Sequence, residues 1–88
     1  MKVEFRASFV KDLRHIINKE LLSRIKQTIE LVEKAQSQQD IASLKRLKGG
    51  NNYYRIRVGE YRLGIIIGDN TATFVRCLSR KEIYRFFP

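Results

Sequence analysis

From Tyr53 to Ile67 the chain places an apolar side chain at every second position, and the run is interrupted only by Gly59-Glu60. A period of two belongs to a strand with one buried face, and a two-residue loop between two such runs is a hairpin turn. That loop sets the pairing: Val58 opposite Tyr61, Arg57 opposite Arg62, Ile56 opposite Leu63, Arg55 opposite Gly64 and Tyr54 opposite Ile65. A slip of one residue would carry every apolar side chain to the other face, so the pattern leaves the register little freedom. Tyr54, Ile56, Val58, Tyr61, Leu63, Ile65 and Ile67 then line the buried face, and Tyr53, Arg55, Arg57, Arg62, Gly64 and Ile66 the other.

On that second face Arg57 and Arg62 oppose each other with Arg55 two residues away. At ~5 Å and an effective dielectric between 80 and 20, each close pair repels by about 1 to 3 kcal/mol. Folding gains nothing from this arrangement. The plain reading is a solvated basic face on which long side chains splay apart. The sharper one is an anion site, where a bound phosphate turns the repulsion into affinity, and Gly64 then leaves room for a phosphate or base to approach the sheet.

The remaining segments supply a partner layer. Met1 to Arg6 alternates (Val3 and Phe5 against Lys2, Glu4 and Arg6) and reads as a short strand. Phe9, Leu13, Ile16 and Ile17 give a first helix of about ten residues with Ser8 as its cap, ending near Asn18 and Lys19. Leu21, Leu22, Ile25, Ile29, Val32 and Ala35 form the stripe of a second helix, and the two should pack as a hairpin. Ser37 to Asp40 is a polar break, and Ile41 with Leu44 suggests one more helical turn. After Lys48-Gly49-Gly50-Asn51-Asn52 come strands over 53–58, 61–67 and 71–78. If Asp69-Asn70 makes the last turn, Ala72 and Phe74 face the helices and Thr73, Val75 and Cys77 lie beside Arg62. A three-residue turn exchanges the sets, and Arg76 is left open. The order is β-α-α-β-β-β with a tail from Arg80, hence α+β, and 88 residues make one domain, 1–88.

Eighteen Lys and Arg against nine Asp and Glu give a net charge of +9, which draws the chain towards polyanions. The longest apolar run, Ile65-Ile66-Ile67, is far below the roughly 20 residues of a membrane span, and Met1-Lys2-Val3-Glu4 does not open a signal peptide. With Cys77 as the single cysteine and His15 as the single histidine, neither an intrachain disulfide nor a zinc-ligand spacing exists. These features point to a cytoplasmic protein that works without cofactor or membrane. His15, on the first helix far along the chain from the arginines, reads as a surface residue.

Leu44-Lys45-Arg46-Leu47-Lys48-Gly49, then Tyr54-Arg55-Ile56-Arg57-Val58-Gly59-Glu60-Tyr61-Arg62-Leu63, then Arg80-Lys81-Glu82-Ile83-Tyr84 resemble, in that order and spacing, the RelE branch of the RelE/ParE toxin superfamily. The resemblance spans essentially the whole chain. It implies a ribosome-dependent endoribonuclease that cuts mRNA in the decoding site and is neutralised by a cognate antitoxin. Carried over residue by residue, Arg55 and Arg57 hold the scissile phosphate and neighbouring backbone, and Arg62 stabilises the transition state. Arg80 stabilises phosphate or delivers a proton to the leaving oxygen, and Tyr84 is the general base for the attacking 2′-hydroxyl. Ser79 stands where many relatives have histidine, which removes an imidazole from that position. Lysines also occur in the family where this chain has Arg55 and Arg57.

The chemistry is sound in outline, since charge placed in advance around a pentacoordinate phosphate is a large source of transition-state stabilisation. A tyrosine serves as base only where cations stabilise its phenolate. Glu82 is a second candidate base, although on a helical tail it would point away from Arg80 and Tyr84. The competing readings are a ParE-like gyrase poison and a non-catalytic module that binds RNA or an acidic protein.

Overall fold

A computed structural model describes residues 1–49 and 52–88; Gly50 and Asn51, in the break expected before the central hairpin, lie outside the described residues. The chain runs β1 (Lys2–Phe5), α1 (Ala7–Arg14), α2 (Lys19–Lys34), a 3-10 turn (Gln38–Asp40), β2 (Leu44–Arg46), β3 (Tyr53–Val58), β4 (Tyr61–Gly68), β5 (Thr71–Ser79) and α3 (Ile83–Phe86). The strands form one sheet in the order β1-β5-β4-β3-β2, with β1 parallel to β5 and the other pairs antiparallel. This is the expected α+β layout.

The central hairpin has the register read from its turn, Val58 opposite Tyr61 and Arg57 opposite Arg62. Gly59 has φ +59 while Glu60 does not have positive φ, the pattern of a type II′ turn, which only glycine enters without strain at its first position. The core follows from the alternation. Ile56, Val58, Leu63, Ile65 and Ile67 on one face of the sheet pack against Phe9, Ile25 and Val32 of the helices, all buried. Asn18 caps α2, its side chain accepting from the Leu21 amide at 3.1 Å.

Three expectations are corrected. The first helix is α1, eight residues long, and Ser8 does not cap it. Ser8 lies inside the first turn, and its hydroxyl donates to the Val75 carbonyl. The helix stops at Arg14, so Ile17 falls beyond it and is 92% exposed. The helical turn expected over Ile41 and Leu44 is replaced by β2, which pairs with β3 and lengthens the sheet at its edge, Leu44 facing Ile56 and Lys45 facing Arg55.

The third correction concerns β5. Asp69 and Asn70 form the turn with φ +52 and +56, the signature of type I′. Ala72 and Phe74 accordingly face the helices. A bulge then intervenes: Ile65 pairs with Phe74 but Gly64 with Arg76, leaving Val75 as the extra residue. Beyond it the faces are the reverse of a regular strand. Cys77 pairs with Leu63 and is buried, and Leu78, not Cys77, lies beside Arg62.

Candidate active site

Rows of the sheet face that points away from α1 and α2 carry the cations. Arg57 and Arg62 are one cross-strand pair, and the next row runs Lys45, Arg55, Gly64, Arg76. Arg62 is 7% exposed, a rare state for a guanidinium. Its Nη1 donates to the carbonyls of Gly59 and Tyr61, each at 3.0 Å, which pins the group over the hairpin turn. Burial pushes its pKa below the ordinary value, and the neighbouring Arg55 and Arg57 push it the same way. Tyr84 opposes them, and Arg80 adds a smaller push downward. Arg62 therefore sits within the electrostatic reach of the other four expected site residues.

Tyr84 arrives from α3, which folds back on this same face. Arg55 Nε donates to the Tyr84 hydroxyl at 3.1 Å, and the tyrosine remains 56% exposed. Arg80 begins the tail: its amide donates to the Glu60 carbonyl at 2.8 Å, tying the tail to the turn that carries Arg62, while its side chain is exposed. No carboxylate among the described residues lies within ion-pair reach of Arg55, Arg57, Arg62 or Arg80. Arg55, Arg57, Arg62, Arg80 and Tyr84 are thus gathered at one open, positively charged patch that can accept a polyanionic backbone.

Arg76, left open by the sequence, is not a free cation of this patch. Its Nε and Nη2 donate to the Asp12 carboxylate at 2.8 and 3.1 Å, and its guanidinium lies over the Phe86 ring at 5.4 Å. The hydrogen bond to Asp12 raises its pKa; burial works against this and the charges of Asp12 and Glu82 add to it. Asp12 also accepts from the Cys77 amide at 2.9 Å.

Gly64 differs from expectation. A Cβ built there would lie 2.7 Å from Cγ and Cδ2 of Phe87, so the space is filled by the chain's own tail and not held open for a ligand. Glu82 accepts from the Ser79 hydroxyl at 3.3 Å and lines, with Asp12 and His15, a recess of about 200 Å³. His15 has Nδ1 3.0 Å from the Lys11 carbonyl and is exposed, a surface residue as expected. Lys45 is a cation that sequence reasoning missed at this face. The signal was the apolar-polar step from Leu44 to Lys45, which over three residues looks the same in a helical turn.

The family model of the ParE toxin of type II toxin-antitoxin system, parDE, matches residues 3–84. Toxin RelE3 of Methanocaldococcus jannaschii is 47% identical over 89 residues, covering 100% of both chains. Putative toxin RelE1 of the same organism is 30% identical over 81 residues, 91% of this chain and 89% of the relative. A chain from the crystal structure of the RelB-RelE antitoxin-toxin complex of Methanococcus jannaschii superposes with a TM-score of 0.80 at 44% identity, covering 97% of this chain and 99% of that one. Among the described residues no helix is long and apolar enough to cross a membrane. A family model that matches residues 3–84, and 47% identity to Toxin RelE3 over the full length of both chains, place the chain in the RelE/ParE superfamily of type II toxin-antitoxin toxins.

Proposed function

We propose that the chain is an endoribonuclease toxin that cuts ribosome-bound mRNA in the decoding site, in the cytoplasm, by attack of the neighbouring 2′-hydroxyl without a metal ion. The observation that carries this reading is the union of a nearly buried Arg62, three further arginines and the Tyr84 hydroxyl on one exposed sheet face. Arg55 and Arg57 hold the scissile phosphate and its neighbour. Arg62, already anchored on two carbonyls, meets the charge that grows on the non-bridging oxygens and pays little reorganisation to do so. Arg80 faces the leaving oxygen, and Tyr84 takes the proton of the 2′-hydroxyl.

The test is cleavage on preformed, programmed ribosomes in the presence of chelator. The expected products carry a 2′,3′-cyclic phosphate and a 5′-hydroxyl, and Tyr84→Phe should be slower by about 10² to 10⁴ with ribosome binding retained. A 3′-hydroxyl and 5′-phosphate would exclude the 2′-hydroxyl route. The family model is that of ParE toxins, which favours a second reading, inhibition of gyrase. Loss of DNA supercoiling activity at toxin levels that leave mRNA whole would select it.

A cognate antitoxin is the expected protein partner. The relative of known structure was crystallised with RelB, and this chain exposes an apolar groove of about 430 Å³ between Phe5, Val10, Leu13, Leu22, Ile25 and Ile29. An amphipathic antitoxin segment with acidic residues would cover that surface and match the net charge of +9.

A further inference from the structure

The tail that brings Tyr84 to the arginines is too short to hold itself. Four residues, Ile83–Phe86, are well below the length at which a helix is stable alone, so its position must come from contacts outside it. Besides Arg76 over the Phe86 ring and Arg55 on the Tyr84 hydroxyl, two buried side chains supply them, one on each side of Tyr84. Ile83 is 0% exposed and Phe87 2%, whereas Tyr84 is 56% and Phe86 54% exposed. The Phe87 ring rests on the bare backbone of Gly64, where any Cβ would stand 2.7 Å from it, and Tyr53 meets it edge-on at 5.4 Å and 81°. The Phe87 amide closes the turn on the Ile83 carbonyl at 2.8 Å. Gly64 is the cross-strand partner of Arg55, the residue that donates to the Tyr84 hydroxyl. The seat of the ring and the donor to the hydroxyl are therefore one pair in the sheet.

We propose that Phe87 is a positioning residue: seated on Gly64, it holds the Tyr84 hydroxyl on Arg55 and so sets the geometry of the cleavage centre. The role rests on the reading that Tyr84 takes part in cleavage. Phe87 touches no substrate in this scheme and acts through Tyr84. Gly64 is its counterpart, a position where the missing side chain is the functional feature. Neither Phe87 nor Ile83 belongs to the cluster that joins the helices to the sheet, although both are buried.

The experiment uses the full chain in single-turnover cleavage on preformed ribosome-mRNA complexes, with ribosome affinity measured in parallel. Phe87→Ala is expected to lower the rate about tenfold or more with affinity within about twofold, since misplacement of a reacting group by ~1 Å can cost 10²-fold. Phe87→Leu, which still fills the seat, should recover most of the rate. Gly64→Ala should reproduce the loss from the other side of the contact. Phe86→Ala, the same residue type one position away but exposed, should stay within about threefold of wild type.

Added to Tyr84→Phe, Phe87→Ala should cause no further loss, the non-additivity expected of two residues acting through one group. Hydrogen exchange gives a readout apart from activity: the amide of Phe87 should exchange faster in Phe87→Ala and Gly64→Ala, with those of Leu63 and Ile65 unchanged. Wild-type cleavage in Phe87→Ala, or additive losses in the double variant, overturns the positioning role and leaves the catalytic reading standing. Wild-type cleavage in Tyr84→Phe overturns the catalytic reading itself.

Discussion

A guanidinium that is 7% exposed and has no carboxylate within reach among the described residues has to be held by neutral groups, and Arg62 is held by the carbonyls of Gly59 and Tyr61. Repulsion from Arg55 and Arg57 works against that anchorage. Arg57, its partner across the strands, is exposed and makes no such hydrogen bond among the described residues. The two arginines should therefore separate under mutation. Arg57→Ala and Arg62→Ala are each expected to slow cleavage by about 100-fold or more, the scale of one lost transition-state donor. Only Arg62→Ala should also cost stability, about 1 to 3 kcal/mol for charged hydrogen bonds removed from a buried site. Urea unfolding beside cleavage assays checks both, with Arg14→Ala on α1 as control; full cleavage by both variants would reduce the cluster to a solvated surface. Cys77 gives a second prediction at this scale. Burial, with the charge of Asp12 adding to it, lifts its thiol from 9.0 to about 12. Between those values the unfolded chain has lost a proton that the folded chain keeps, so this thiol's contribution is complete below about pH 9 and is lost as pH rises towards 12. Cys77→Ala should flatten that alkaline decline in urea unfolding, and an unchanged slope would mean that the folded thiol ionises normally.

Asp12 shows how one side chain can join elements that no local pattern connects. From α1 it accepts from the Arg76 side chain and from the Cys77 amide on the stretch of β5 beyond the end of β1, where that edge has no strand beside it. Asp12→Ala would leave a half-buried guanidinium and a backbone donor without their acceptor. A loss of about 1 to 3 kcal/mol is expected, the scale of partly buried donors left without their acceptor, and a change within about 0.5 kcal/mol in urea unfolding would show that water replaces the carboxylate freely. Legibility in the sequence follows the same division between local and distant. The central hairpin could be read because two turn residues fix its register, and with it the placing of Arg55, Arg57 and Arg62. The faces of β5 could be read only as far as Phe74, since nothing in Thr71 to Ser79 announces the bulge at Val75. Three residues of β2 are too few to show a period, so Lys45 was missed. Arg80 and Tyr84 rested on the resemblance and on their i, i+4 spacing in a helical tail; the helix covers only Ile83–Phe86, and a tail's docking site is written in residues far from it. Gly64 and Phe87, 23 positions apart, carry no common signal in the chain.

At the scale of the whole molecule the two faces of the sheet divide the labour. Helices and core occupy one; the arginines and the tail occupy the other, and the net charge of +9 gives the whole surface a positive field. If Arg55, Arg57, Arg62 and Arg80 each neutralise one phosphate, affinity for a short single-stranded RNA should fall with salt at a log-log slope of about −3, and Arg57→Ala should reduce that slope by about 0.7. Titrations at several salt concentrations read this directly, and a slope near zero would remove phosphate contact as the basis of binding. The bulge has a consequence for how the chain tolerates changes in length. Val75 has no partner of its own between Phe74 and Arg76, so it is one residue of slack in the ladder. Deleting it would leave the partners of Phe74 and Arg76 in place and every side chain on its present face, at the cost of the Ser8 anchor. Deleting Thr73, two positions earlier, would turn Ala72 and the residues before it to the opposite face. The same edit is thus a shortened loop in one place and an inversion of inside and outside in the other, and the hydrogen-bond ladder alone decides which.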